Sequence, residues 1–138
     1  MKRQLLRMVC VLALVLVGGA CAQTISMKTD IPFDFIVNGG TLPAGQYVVE
    51  SFGASSSPVL LVHNVKFGQA EVVPSNPTES LEASEKTKLV FHRYGNQYFL
   101  AQIWIAGQRF GRELPNSKRE AETMAHVQHD TIMIAGAP

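Results

Sequence analysis

Four histidines are the groups in this chain best placed by type to do acid–base or metal chemistry near neutral pH. His126 and His129 stand three apart, a spacing that converges on one face of a helix and diverges on a strand. Asp130 adds an oxygen ligand beside them, but a metal site needs three or four ligands, and this segment supplies them only if helical or bent. It therefore reads as a polar stretch before the last strand, with no metal centre. His92 lies inside an apolar run, where it would serve as an acid–base group or sit partly buried, satisfied by a neighbour. His63 has no visible partner. Asp34 and Glu50 would form a carboxylate pair only if their strands were neighbours. No G-x-S-x-G elbow is present, and Ser55, Ser56 and Ser57 fall in a loop-forming stretch. Arg109, Arg112, Lys118 and Arg119 cluster, but Glu113, Glu120 and Glu122 interleave with them, which favours local pairing over an anion site. No glycine-rich phosphate loop occurs, so no cofactor is expected. No catalytic residue is assigned.

The elements that must carry these side chains are short strands. The strongest signal is Lys88 to Ile105, where two apolar runs flank Gly95-Asn96, a pair suited to a two-residue type II′ turn. That turn sets Tyr94 opposite Gln97, His92 opposite Phe99, Val90 opposite Ala101 and Lys88 opposite Ile103. One face then carries Val90, His92, Phe99, Ala101, Ile103 and Ile105, and the other Leu89, Phe91, Arg93, Tyr98, Leu100, Gln102 and Trp104. Both faces are too apolar for a solvated sheet, so the hairpin is expected to be central. The Val90/Phe99/Ile103 face is expected to form the core. Phe91, Tyr98, Leu100 and Trp104 are the expected ligand or partner surface.

Elsewhere the pattern is similar. Residues 31–37 alternate as one strand ending at Asn38-Gly39-Gly40, with residues 24–28 as an edge strand before it. Leu42-Pro43-Ala44-Gly45 is a turn launching residues 46–52, and strands follow at 58–63 and 69–73. Residues 74–86 break the rhythm as an exposed acidic loop, or a short helix capped by Asn76 with too little apolar face to hold it. Ser117-Lys118-Arg119-Glu120 is a capping box opening a helix to about Met124. Residues 127–135 close the chain as a strand with Ile132 and Ile134 on one face. The fold class is all-β, mainly antiparallel: a single-domain β-sandwich or partly closed barrel of about eight strands with one short late helix.

The first residues address the protein. Lys2, Arg3 and Arg7 precede an apolar run from Met8 to Val17, and Gly18-Gly19-Ala20-Cys21-Ala22 ends in an A-x-A cleavage site. A run of about ten residues is too short to cross a bilayer, which takes about 20. Residues 1–22 are expected to be a bacterial signal peptide and 23–138 the domain, with no membrane span after cleavage. Lipidation at Cys21 is the alternative, but Gly18 stands where a lipobox wants a large aliphatic residue. Cleavage after Ala22 removes both cysteines, so neither a disulfide framework nor a Cys-rich zinc site remains. It also takes the charge from 12 basic against 11 acidic residues to 9 against 11, which offers nucleic acid no footprint.

Pro32-Phe33-Asp34-Phe35, Leu42-Pro43-Ala44-Gly45-Gln46-Tyr47 with Val49-Glu50, Lys88 to Gly95, and Gly111-Arg112-Glu113-Leu114-Pro115 together resemble a family of small, uncharacterised, predicted secreted β-rich proteins from soil bacteria. The resemblance covers most of residues 31–122. It implies an exported β-rich domain and carries over no catalytic residue. The function expected is therefore non-enzymatic binding or structure, in the periplasm, outside the cell, or at the cell surface if lipidated. The partner would be a protein or a small apolar ligand. A carrier holding a small apolar molecule in a half-open barrel is the first alternative, and a hydrolase using His92 a remote one.

Overall fold

A computed structural model describes residues 25–53 and 57–137. The expected signal peptide, with its expected cleavage site and Cys21, lies outside the described residues, as do Ser55 and Ser56. The chain forms β1 (Ser26–Ile31), β2 (Phe35–Val37), β3 (Gly40–Leu42), β4 (Gly45–Ser51), β5 (Val59–Asn64) and β6 (Ala70–Pro74). There follow β7 (Asn76–Glu79), β8 (Lys88–Tyr94), β9 (Gln97–Trp104), β10 (Phe110–Glu113), the helix α1 (Lys118–Met124), and β11 (Asp130–Ala137).

These strands make one sheet that curls into a nearly closed barrel. Neighbours run β9–β8–β11–β1–β4–β5–β6, and β7 pairs β10, which pairs β9. Ser75 joins β6 to β7, so the ladder returns on itself with eight staves: β8, β11, β1, β4, β5, the bent β6–β7, β10 and β9. The β2–β3 hairpin lies beside β9 through one parallel contact, Ile36 with Phe99. Alternation along each stave supplies the core, as on β1, where Met27 and Ile31 point in while Ser26, Lys28 and Asp30 point out. Tyr47, Phe35, Phe91, Val49, Leu60, Val62, Leu89 and Ile103 fill the interior with almost no exposure. Phe35 meets Tyr47 and Phe91 edge-on at 5.0 and 5.6 Å.

The β8–β9 hairpin turns at Gly95, whose φ of 60° suits the first position of the type II′ turn read from the sequence. Its register follows the turn from Tyr94–Gln97 to Phe91–Leu100. There a bulge intervenes, and Val90 pairs Gln102, Leu89 pairs Ile103 and Lys88 pairs Trp104. One extra residue flips every side chain beyond it. Ile103 therefore joins Leu89, Phe91 and Leu100 inside, while Val90, Gln102 and Trp104 face out. The expected core face, Val90/Phe99/Ile103, is thus corrected. The bulge sits where β9 changes neighbours, from β2 at Phe99 to β10 at Gln102, and the Ala101 carbonyl accepts the Leu114 N–H at 2.8 Å.

Three smaller expectations change as well. Residues 24–28 are not an edge strand, because β1 pairs β4 along its whole length and β11 over part of it. Residues 31–37 are not one strand, because Pro32 lacks the N–H a ladder needs and the chain leaves the sheet until Phe35. Asn76 caps no helix: residues 76–79 pair β10 instead, and residues 80–86 follow as a loop. The expected late helix is α1, capped by Ser117, whose Oγ accepts the Glu120 N–H at 3.1 Å.

Candidate functional site

On the outer face of β8, the register places His92 and Tyr94 side by side, pointing away from the core. The Ser117 cap fixes the start of α1 so that Glu120 turns down onto them. Glu120 is buried, its Oε1 lying 3.0 Å from His92 Nδ1 and accepting the Tyr94 hydroxyl at 3.4 Å. The His129 ring closes the group, 4.4 Å from His92 and 5.3 Å from Tyr94 between centroids. Burial, and then the Glu120 charge, push the Tyr94 hydroxyl above the usual tyrosine pKa. A histidine held by a carboxylate is one half of a catalytic pair, but the other half needs a nucleophile. Among the described residues, no hydroxyl or thiol hydrogen-bonds the second ring nitrogen of His92. The arrangement pins α1 to the hairpin.

The other candidate groups are dispersed. His63 Nε2 lies 3.5 Å from Glu50 Oε1 on the outer face of β4 and β5. Asp34 instead accepts the Ala44 N–H at 2.9 Å. Ala44 and Glu50 are six residues apart along an extended strand, about 20 Å, so the two carboxylates do not meet. Arg109 pairs Glu79 at 3.0 Å, Arg112 donates to the Ser57 carbonyl at 3.4 Å, and Arg119 donates to Thr41 Oγ1 at 3.3 Å. Each of the three arginines has a partner of its own, so among the described residues they are not gathered into one anion site. Among the described residues, no group of three or more His, Cys, Asp or Glu is placed to hold a metal ion.

The expected ligand surface divides between the two faces of the sheet. Phe91 and Leu100 are buried inside the barrel. Tyr98 also points inward, at the barrel end, stacked on Phe33 at 3.8 Å with the Arg93 guanidinium 5.8 Å from its ring. Trp104, moved outward by the bulge, is the one of the four on the outer face. Its ring lies against Gly111, where a Cβ would come within 2.7 Å of it, and its Nε1 donates to Gln102 Oε1 at 3.1 Å. Trp104, Val90, Gln102, Thr131 and Met133 floor an open groove of about 770 Å³. Its wall is the 80–86 loop, held to the β9–β10 turn because Ser84 N donates to the Gln108 carbonyl and Gly107 N to the Ser84 carbonyl. That Gln102 and Trp104 share a face with Val90 was not legible, because strict alternation conceals a bulge. Ser117 forms its half of the expected capping box, but the Glu120 carboxylate goes to His92 and Tyr94 and not back to the Ser117 N–H, a pairing the sequence did not reveal.

Compared with known proteins, the chain matches no family model, and no curated protein or solved structure matches it significantly.

Proposed function

We propose that the chain is an exported, non-enzymatic binding domain whose ligand sits on the outer face of the barrel, along the Trp104 groove. The observation that carries this reading is the contrast between a filled interior and an open outer groove holding the chain's single tryptophan. A filled interior leaves little room for a small apolar cargo, which favours a surface ligand such as a protein segment over the carrier. The basic, apolar and small-residue order of residues 1–22 and the resemblance to secreted β-rich proteins support export. Mass spectrometry of protein recovered from the producing cell should find Gln23 at the N-terminus. An acylated Cys21 would place the domain on a membrane instead.

An immobilised peptide library, read with wild type and Trp104→Ala, tests the binding reading. Selective binding that falls at least about tenfold in the variant supports it, on the scale of an aromatic anchor residue. The His92–Glu120 pair supports a second reading, a hydrolase. Turnover of ester, peptide or glycoside substrates that His92→Ala abolishes would replace the binding domain with an enzyme.

A further inference from the structure

The barrel has a seam, and it lies where the chain turns away at Pro32. β1 and β11 are antiparallel neighbours, yet they pair only at Lys28–Ala137 and Thr29–Gly136. At the next step the ladder ends, and the Thr29 hydroxyl donates to the Ala135 carbonyl at 3.0 Å in place of a backbone group. Continuing the same register would set residues 32–34 beside residues 133–131. Pro32 instead leads the chain across the barrel end, where Phe33 packs under Phe91 and Tyr98.

On its other edge, β11 pairs β8 from Asp130 to Ala135. Gly136 N donates to the Thr87 carbonyl at 2.9 Å, which fixes the phase of that ladder. By antiparallel alternation Ile134 and Ile132 direct their backbone groups to β8, and Met133 and Thr131 direct theirs to the seam. Among the described residues, no strand takes those groups. Beneath them Ile132 and Ile134 face the core yet stay partly exposed, whereas Met27 and Ile31 on β1 are fully covered. Two signals therefore coincide at one place: a row of unpaired backbone donors and acceptors, and an apolar floor at alternate positions.

We propose that this seam takes an extended polypeptide segment of a partner, added antiparallel to residues 130–134 of β11 in the position β1 vacates, with apolar side chains inward over Ile132 and Ile134. The backbone donors and acceptors it offers at alternate residues are met by another backbone, and the floor selects alternating apolar and polar residues. Thr131 and Met133 also floor the Trp104 groove, so such a strand would lie along its margin. The inference rests on the binding-domain reading and names its partner class.

The test is a titration of the 15N-labelled protein with a synthetic peptide of the sequence of residues 25–31, whose alternation suits the neighbouring stretch of the same edge. The expected result is that the Thr131 and Met133 amides shift and exchange with solvent at least about tenfold more slowly. The same peptide N-methylated at alternate positions along its pairing edge should produce neither effect. Met133→Pro removes an N–H the β8 ladder does not use, and should weaken binding at least about tenfold with native circular dichroism retained. If that variant does not fold, the N-methylated peptide decides alone. No change at Thr131 and Met133 up to millimolar peptide, or equal effects from the methylated peptide, overturns the proposal. Shifts confined to Trp104 and Val90 overturn it while leaving groove binding intact. A dimer of the unliganded protein, broken by Met133→Pro, would show that a second copy fills the seam and also overturns it.

Discussion

Two regions of the barrel wall use the same kind of side chain to opposite effect. On β8 and β9, Leu89, Phe91, Leu100 and Ile103 face the interior and are at most 4% exposed. On β11, Ile132 and Ile134 face the same interior and remain partly exposed. What differs is the next strand: β8 has β9 and β11 along its length, and β9 has β8 on one edge with β2 and β10 on the other, whereas β11 meets β1 over two residues. Burial in a barrel is decided by what lies beside a strand as much as by the residue. The closed side should carry stability and the open side recognition.

The largest test of that division is on the closed side. Phe91→Ala should cost about 3–5 kcal/mol and Ile103→Ala about 2–5 kcal/mol in urea unfolding, the range for truncation of a filled core. Both lie inside, so neither should act chiefly on binding. Glu120→Ala removes the carboxylate between His92 and Tyr94, and should cost about 1–3 kcal/mol for the buried groups it leaves unpaired. Its loss should appear first as faster amide exchange in α1. Ile134→Ala on the open side should cost less, about 1–2 kcal/mol, because part of its surface already meets water. If Ile134→Ala matches Phe91→Ala, the seam is shut and the comparison fails.

The smallest effect is in the pH dependence. The Tyr94 hydroxyl is raised in the fold by burial and by Glu120, so the neutral form is favoured there. That stability is complete below the ordinary tyrosine pKa, near 10, and is lost as pH rises through the native value. The thermal midpoint should therefore fall at alkaline pH, and less steeply in Tyr94→Phe. An equal slope in both would place the alkaline sensitivity elsewhere, with Tyr47, also raised by its burial, the next group to replace.

Much of this architecture was legible in the residues. The type II′ turn at Gly95-Asn96, the Ser117 cap and the all-β class with one late helix follow from local chemistry, and the structure has them. The bulge at Ala101 was not legible, because nothing in a run of apolar residues marks where one goes unpaired. That single residue exchanged Ile103 and Trp104 between faces and broke up the expected surface of Phe91, Tyr98, Leu100 and Trp104. The seam was hidden for a related reason: residues 31–37 alternate as one strand would, and only Pro32 signals the break.

Amide exchange along β11 in the unliganded protein tests the division most directly. The account predicts alternation, with Ile132 and Ile134 protected by β8 and Thr131 and Met133 exchanging much faster. Uniform protection from Thr131 to Ile134 would mean that the edge is already paired, and would contradict the open side altogether.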